Sequence, residues 1–170
     1  MENNIKINFE NYLNTKNFSS SQKEIKENNF NNFIKNGFPN KRIEDWQFSD
    51  LKQIITTNFE NIDFLKKEEQ SNIEANFTLG LEHNKIVFIN GTISKIDFSC
   101  EDEKKIVVEQ NSNLEKELSE NSLLNLNTAF LSNYTKILVK SGYQFKKPLV
   151  LFNYLTNDLN NIGLNTRVDI

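Results

Sequence analysis

The sequence has very little of several residue types that commonly carry chemistry. Its 170 residues include one Cys, one His, one Trp, two Pro and five Gly. A single cysteine excludes an intramolecular disulfide, and no second Cys or His motif is present to complete a Cys/His metal site. Four of the glycines stand alone, at positions 80, 91, 142 and 163, so the chain lacks a Gly-rich phosphate loop and we expect no ATP binding.

The chain also lacks a strong charge of either sign and any long apolar run. Lys and Arg number 20 against 23 Asp and Glu, which gives a net charge of −3. Without a basic block, charge gives no basis for nucleic-acid binding. No run approaches the ~20 apolar residues of a membrane span, and the N-terminus lacks the pattern of a secretion signal. We therefore expect a cytoplasmic protein without nucleic-acid or membrane partners.

Apolar periodicity predicts that the first ~80 residues are mainly helical. Ser21–Glu24 has the spacing of a capping box. The helix that it would start places Ile25, Phe30, Phe33 and Ile34 on one face. Ile7–Leu13 predicts a shorter helix before it, and Ser49–Asp50 predicts the start of another after it.

Strand patterns follow from residue 85 onward. Asn90–Gly91 predicts a type I′ hairpin between strands 85–89 and 92–96, because both central turn positions need positive φ. A helical stretch over 113–131, divided near Asn121–Ser122, interrupts the strands. The remaining predicted strands are 105–109, 136–139, 148–152 and 165–170. The last strand would leave an open edge, which leads us to expect the front part of a longer protein.

Few side chains are candidates for catalysis. His83 is predicted to lie in a surface loop, because no partner for general-base chemistry is near it in the sequence. Cys100 precedes the acidic run Glu101–Glu103, and neighbouring carboxylates disfavour a reactive thiolate. The adjacent pair Glu44–Asp45 is not expected to form a dyad, since adjacent residues of a helix do not face one another. We expect no catalytic residue and no enzyme activity.

The rarest residue types gather in one segment, Gly37–Leu51. It contains the only Trp, Trp46, together with Pro39 and Arg42. Gly37 can adopt the left-handed conformation that ends a helix, and Pro39 then prevents the helix from continuing. The segment therefore predicts a helix end followed by a constrained turn.

Two roles are open for the side chains of this segment. In the first, Glu44 pairs with Arg42 or Lys41 around a buried Trp46, and Trp46 and Phe48 anchor the segment to the helices. In the second, Trp46 and Phe48 contact a partner protein.

The segment resembles the N-terminal signature of the SufD family, scaffold subunits of the SUF iron–sulfur cluster assembly machinery. The family pattern is roughly Gly-Leu-Pro-x-Arg-Arg-x-Glu-Asp/Glu-Trp-Lys-Tyr-Thr-Asp/Asn-Leu. This chain departs from it at Phe38, Lys41, Gln47, Phe48 and Ser49, and only Gln47 loses a charge. The residues taken as structural or interaction residues of the motif are Gly37, Pro39, Arg42, Glu44, Asp45, Trp46, Phe48 and Asp50.

Two later stretches resemble the same family, in the same order. Ile86–Gly91 is similar to its Val-Phe-Val-Asn-Gly hairpin. Leu126–Phe130, followed by Ile137–Val139 and Lys147–Leu149, is similar to its entry into a central β-helix. The resemblance thus runs from about residue 30 to residue 152.

The resemblance implies a non-catalytic scaffold that works with a SufC-type ATPase and a SufB-type paralogue. Both partners would bind through regions beyond residue 170. The iron–sulfur cluster would belong to the full complex, and no cofactor or metal would be bound by this segment. One cysteine is fewer than the roughly four ligands, mostly thiolates, of a cluster.

The fold class expected from pattern and resemblance together is α+β. A mainly helical N-terminal domain would span 1–83, and a strand hairpin with helices would span 84–133. The first rungs of a right-handed parallel β-helix would follow over 134–170, truncated at the C-terminus. Two other functions stay open at this point: a carbohydrate-active enzyme on a β-solenoid, and a small complete adaptor protein.

Overall fold

A computed structural model of the protein describes residues 2–58, 62–63, 80–99, 101–110, 118–155 and 165–170. The helices in these ranges are α1 (Glu2–Thr15), α2 (Ser20–Asn36), α3 (Leu51–Asn58) and α4 (Ser122–Phe130). The strands are β1 (Asn84–Ile89), β2 (Thr92–Asp97), β3 (Ile106–Gln110), β4 (Asn133–Val139), β5 (Leu149–Tyr154) and β6 (Thr166–Asp169). Short 3-10 turns cover Glu44–Trp46 and Glu103–Lys105.

These elements divide into two compact units. The helical unit comprises Met1–Lys66, Asn113–Ser132 and Asn161–Asn165, so it contains α1 to α4. The strand unit comprises Lys67–Ser112, Asn133–Asn160 and Thr166–Ile170, so it contains β1 to β6. The chain therefore passes from one unit to the other directly after α4, between residues 132 and 133.

Aromatic side chains form the core of the helical unit. Phe9 of α1 stacks on Phe30 of α2, with ring centroids 3.9 Å apart. Phe130 of α4 lies edge-on to both rings, at 5.4 Å from Phe9 and 6.1 Å from Phe30. Offset and edge-on aromatic pairs are favoured by the charge distribution of the rings and bury large areas. This cluster explains why α4, though distant in sequence, belongs with the N-terminal helices.

The N-termini of α1 and α2 differ from the sequence prediction. α1 extends beyond the predicted Ile7–Leu13 at both ends, and at its N-terminal end the additional residue Ile5 lies on its buried face. The capping box predicted at Ser21–Glu24 is wrong. The box is Ser19–Gln22: Ser19 Oγ accepts from the Gln22 N–H at 3.2 Å, and Gln22 Oε1 accepts from the Ser19 N–H at 3.0 Å. Three successive serines made the sequence pattern ambiguous.

The hairpin prediction in the strand unit is confirmed. Asn90 has φ of 48° and Gly91 has φ of 81°, as a type I′ turn requires. β1 and β2 pair antiparallel across this turn, with a register shift between Val87 and Phe88. On its other side β1 pairs in parallel with β5, so its residues are almost all buried.

Two mixed three-stranded sheets make up the strand unit. One has the order β2-β1-β5 and the other has the order β3-β4-β6. Side chains from both sheets share one core, in which Ile86, Phe88, Ile106 and Ile137 are buried. Parallel pairs buried on a common core account for the apolar runs of β1 and β5.

The predicted β-helix is wrong. In a parallel β-helix, strands one turn apart stack in parallel throughout each sheet, whereas each sheet here combines one antiparallel pair with one parallel pair. Within the described ranges neither sheet is closed and no solenoid forms, so the chain is a small α+β structure. Short apolar strands are compatible with many sheet architectures, which is why sequence alone misled the assignment.

Candidate functional site

The segment between α2 and α3 holds the eight motif residues identified in the sequence. Gly37 ends α2 with φ of 67°, and its N–H donates to the Phe33 carbonyl at 2.6 Å. A residue with a Cβ would be strained at this φ, so glycine is the suitable helix end. Pro39 is buried directly after this stop. The predicted helix end at Gly37 is confirmed.

Short-range hydrogen bonds shape the turn that follows. Asn40 Oδ1 accepts from the Arg42 N–H at 2.9 Å, which is the local turn that Asn side chains favour. The N–H of Trp46 then donates to the Ile43 carbonyl at 2.8 Å, and the N–H of Ser49 donates to the Trp46 carbonyl at 2.8 Å. The segment is therefore a series of tight turns rather than an open loop.

The far end of the segment is fastened by α3. Asp50 caps this helix, because its Oδ1 accepts from the Gln53 N–H at 2.9 Å. The Lys52 N–H donates to the Pro39 carbonyl at 3.1 Å, which joins the beginning of the segment to its end. Asp50 thus has a defined structural role, and the predicted helix after Ser49 is confirmed.

The residues that hold the segment on the core are not those that the sequence predicted. Phe38 is buried and its ring lies 5.1 Å from that of Phe33. Leu51 and Ile55 also pack against the helical core. Phe48 was expected to anchor the segment, but its side chain is 91% exposed. That prediction is wrong, because neighbouring apolar residues already fill the available core positions.

Trp46 and its charged neighbours also differ from the first expectation. Trp46 is only half-buried, and it is not part of the buried core cluster. Arg42, Glu44 and Asp45 are exposed, and in the described part of the chain no ion pair joins Glu44 to Arg42 or Lys41. Their charges point into water, where ion pairs contribute little.

The segment therefore presents an apolar surface to solvent. Phe48 is joined by two other exposed apolar side chains of this region, Ile43 at 44% and Ile54 at 48% exposure. Charges of both signs border them, from Lys41 and Arg42 to Glu44 and Asp45. Such a combination is suited to protein contact, since it offers an aromatic anchor with a polar rim.

His83 lies in the loop directly before β1, as predicted, and its side chain is half-buried there. Its Nδ1 lies 2.8 Å from the Leu81 carbonyl, and its ring packs 5.6 Å from that of Phe152. Nδ1 must carry the proton that this carbonyl accepts. Nε2 is buried without a hydrogen-bond partner. In the ranges that the structure describes, no three potential metal-ligating side chains come together around His83 or elsewhere, and Cys100 lies outside those ranges.

Two charged side chains with unusual surroundings escaped the sequence analysis. Lys26 is buried in the helical unit, and Glu101 lies half-buried in the strand unit. The position of Lys26, four residues before Phe30 and seven before Phe33, places it on the apolar face of α2, and this spacing was a usable signal. No sequence signal marks Glu101, because its partners are distant in sequence: Asn84 precedes it by 17 residues, and Tyr143 and Lys146 follow it by 42 and 45 residues.

Comparison of the chain with protein-family models found no match, and comparison with curated proteins found none either. The fold and the segment define an α+β protein with an exposed aromatic side chain, Phe48, on a segment beside a helical core. Its relation to the SufD family remains a resemblance carried by the sequence of Gly37–Leu51 and the two later stretches. No helix among the described residues combines the length and apolar character needed to cross a membrane.

Proposed function

We propose that this chain is a non-catalytic scaffold of the SufD type. In this role it acts in iron–sulfur cluster assembly, together with a SufC-type ATPase and a SufB-type paralogue. The cluster is the cargo of the complex, and the chain contributes binding surface rather than chemistry. The proposal is supported first by the order and spacing of the motif residues in Gly37–Leu51.

The observation that carries the proposal is the exposure of Phe48. Phe48 is 91% exposed on a segment that is fastened at both ends. The favourable free energy of burying its ring is gained only when another surface covers it. Large aromatic side chains are also frequent energetic centres of protein interfaces. Phe48 stands where the family pattern has Tyr, so the aromatic character of the position is retained.

Copurification tests the assembly role. The gene product that contains this chain would be tagged and coexpressed with a SufC-type ATPase and a SufB-type paralogue, under anaerobic and reducing conditions. We expect both partners to be retained in fixed proportion. Recovery of a folded protein with neither partner would overturn the proposal.

A pair of matched variants tests the contact surface. The Phe48 contact is proposed as an addition to the partner contacts beyond residue 170, so we expect Phe48→Asp to weaken the complex about tenfold or more without abolishing it, as truncation of an interface anchor does. Ile7→Asp is the control, because Ile7 is also an exposed apolar residue of the helical unit, at 55% exposure, but lies on α1. Circular dichroism would confirm that both variants fold. Equal binding by Phe48→Asp and the wild type would place the contact elsewhere.

A further inference from the structure

Lys26 is buried at the point where α2 meets the C-terminal end of α4. Its side chain is 1% exposed. The ammonium nitrogen Nζ lies 2.9 Å from the Leu131 carbonyl oxygen and 3.4 Å from those of Thr128 and Ala129. The last carbonyls of a helix have no partner within the helix. Lys26 therefore supplies the donors that complete the end of α4.

Aromatic rings enclose the same amine. Nζ lies 5.1 Å from the ring centroid of Tyr12 and 5.0 Å from that of Phe18. The Tyr12 hydroxyl donates to the Leu131 carbonyl at 2.8 Å, so one carbonyl receives donors from both α1 and α2. Ring faces attract a cation, but they replace little of the hydration that an ammonium loses on burial.

Within the described ranges the buried amine has no carboxylate as an ion-pair partner. The titratable groups that face it from α1 are Tyr12 and Lys16, and Lys16 donates to Ser132 Oγ at 3.2 Å. α2 carries the exposed Lys23, Glu24 and Glu27 within one turn of Lys26, and the sequence of α4 contains no ionisable residue. The charge that acts on the Lys26 amine is that of Lys16, which is positive.

We propose that Lys26 makes the attachment of the α4 C-terminus to α1 and α2 sensitive to pH, with loss of one proton tightening it and uptake of one proton loosening it. The joint precedes β4 directly, so it lies where the chain passes into the strand unit. Deprotonation removes a charge that is buried among carbonyls and rings. The neutral amine keeps two N–H groups, which can still donate to carbonyls of the α4 end.

The sign of the effect follows from proton linkage. Burial, and secondarily the charge of Lys16, lowers the pKa of Lys26 from its ordinary 10.5 to about 7. Between these two values the opened chain binds a proton that the folded chain does not. The unfolding equilibrium constant therefore falls by up to about tenfold per pH unit as the pH rises through this window. Below about pH 7 both states are protonated and the dependence ends.

Urea unfolding of the whole chain from pH 7.5 to 9.5 tests this linkage. Relative to Lys26→Met, which keeps the length of the side chain but has no charge, the wild-type unfolding constant should fall about tenfold per pH unit. Lys23→Met is the matched control from the exposed side of α2, and it should retain the wild-type slope. Parallel profiles of the wild type and Lys26→Met would overturn the proposal.

Nuclear magnetic resonance tests the same point without any variant. With the lysine Cε resonances assigned through the backbone, the Lys26 resonance should titrate near neutral pH, well below the ordinary lysine value of 10.5. A Lys26 resonance that titrates together with those of Lys23 and the other exposed lysines would overturn the proposal, whatever the stability of the variants.

Discussion

Two single residues, Lys26 and Glu101, join parts of the chain that are far apart in sequence. The Glu101 carboxylate accepts hydrogen bonds from the Tyr143 hydroxyl at 2.5 Å and from Asn84 Nδ2 at 2.7 Å. It also accepts from the backbone N–H groups of Lys146 and Lys147, at 3.1 and 3.2 Å to Oε1. Glu101 thus joins the connection between β2 and β3 to the loop between β4 and β5. These donors stabilise the charged form of Glu101, whereas burial destabilises the charged form of Lys26.

The acid dependence of stability should reflect Glu101. Partial burial alone would raise its pKa, but the bonds from Tyr143, Asn84 and the two amides together hold the pKa of Glu101 at about 2, below the ordinary 4.5. Because the folded-state pKa is depressed, the stabilisation is present above pH 4.5 and is lost as the pH falls toward 2. We expect the wild-type urea midpoint to fall more steeply than that of Glu101→Gln between pH 5 and 2.5.

The control for this experiment is Glu109→Gln, which removes an exposed carboxylate from β3. It should retain the wild-type acid slope. At neutral pH Glu101→Gln should be the less stable variant, since its amide N–H group would face the backbone donors of Lys146 and Lys147. An acid slope in Glu101→Gln equal to that of the wild type would contradict the assigned role.

At the scale of elements, the turns decide how the strands meet. Gly91 has φ of 81° in the β1–β2 hairpin, and a Cβ added there would overlap the methyl group of Thr166 at the start of β6. Gly142 has nearly the same φ, 76°, yet a Cβ there would meet nothing within 4 Å. The two glycines therefore separate the cost of backbone conformation from the cost of steric overlap.

Alanine substitution at the two glycines gives a matched pair. We expect Gly142→Ala to lower the free energy of unfolding by about 1 kcal/mol, the cost of a left-handed conformation for a residue with a Cβ. Gly91→Ala should lower it by about 3 kcal/mol, because overlap with Thr166 adds to the same backbone term. Urea denaturation measures both. Thr166→Ser in the Gly91→Ala background should recover part of the loss, and equal losses at the two glycines would contradict the close approach.

At the scale of the whole molecule, residues that are close in sequence belong to two different cores. Phe130 belongs to the aromatic core of the helical unit, and Ile137 belongs to the core shared by the two sheets. Only two residues, Leu131 and Ser132, separate α4 from β4. Because each core is filled by its own unit, loss of packing in one should leave the backbone protection of the other largely intact.

Hydrogen exchange measured by mass spectrometry checks this division. Phe130→Leu should cost about 1–2 kcal/mol, since it removes the ring contacts with Phe9, Tyr12 and Phe30. Exchange should then rise in α1 and α2. Ile137→Val should cost about 1 kcal/mol and raise exchange in β1 and β3. If either variant raises exchange equally in both units, the two cores unfold as one.

Local features were predictable because residues close in sequence determine them. The helix end at Gly37, the start of α3 near Asp50 and the hairpin at Asn90–Gly91 each depend on a conformation or a hydrogen bond within a few residues. The structure confirms all three. The capping box before α2 was misplaced by two residues because Ser19 and Ser21 both satisfy the local pattern.

The candidate site was predicted in position but not in exposure. The motif residues were identified from their rarity and order, yet Phe48, which was expected to anchor the segment, is exposed, and Phe38, for which no role was predicted, is buried. Both are aromatic neighbours of a turn, and only the position of the helical core distinguishes them. The sequence shows which side chains are apolar, but it does not show which of them are buried when the core has room for only some.

The sequence by itself determined where most helices and strands lie, how α2 ends and where the first hairpin turns, since these depend on interactions of short range. Only the tertiary structure decided that β1 pairs with β5 and β4 with β6, that Lys26 completes the end of α4, and that Glu101 receives its donors from the β4–β5 loop. These contacts join residues that the sequence keeps far apart. Their formation depends on which surfaces the packed cores bring together, and no local pattern encodes that choice.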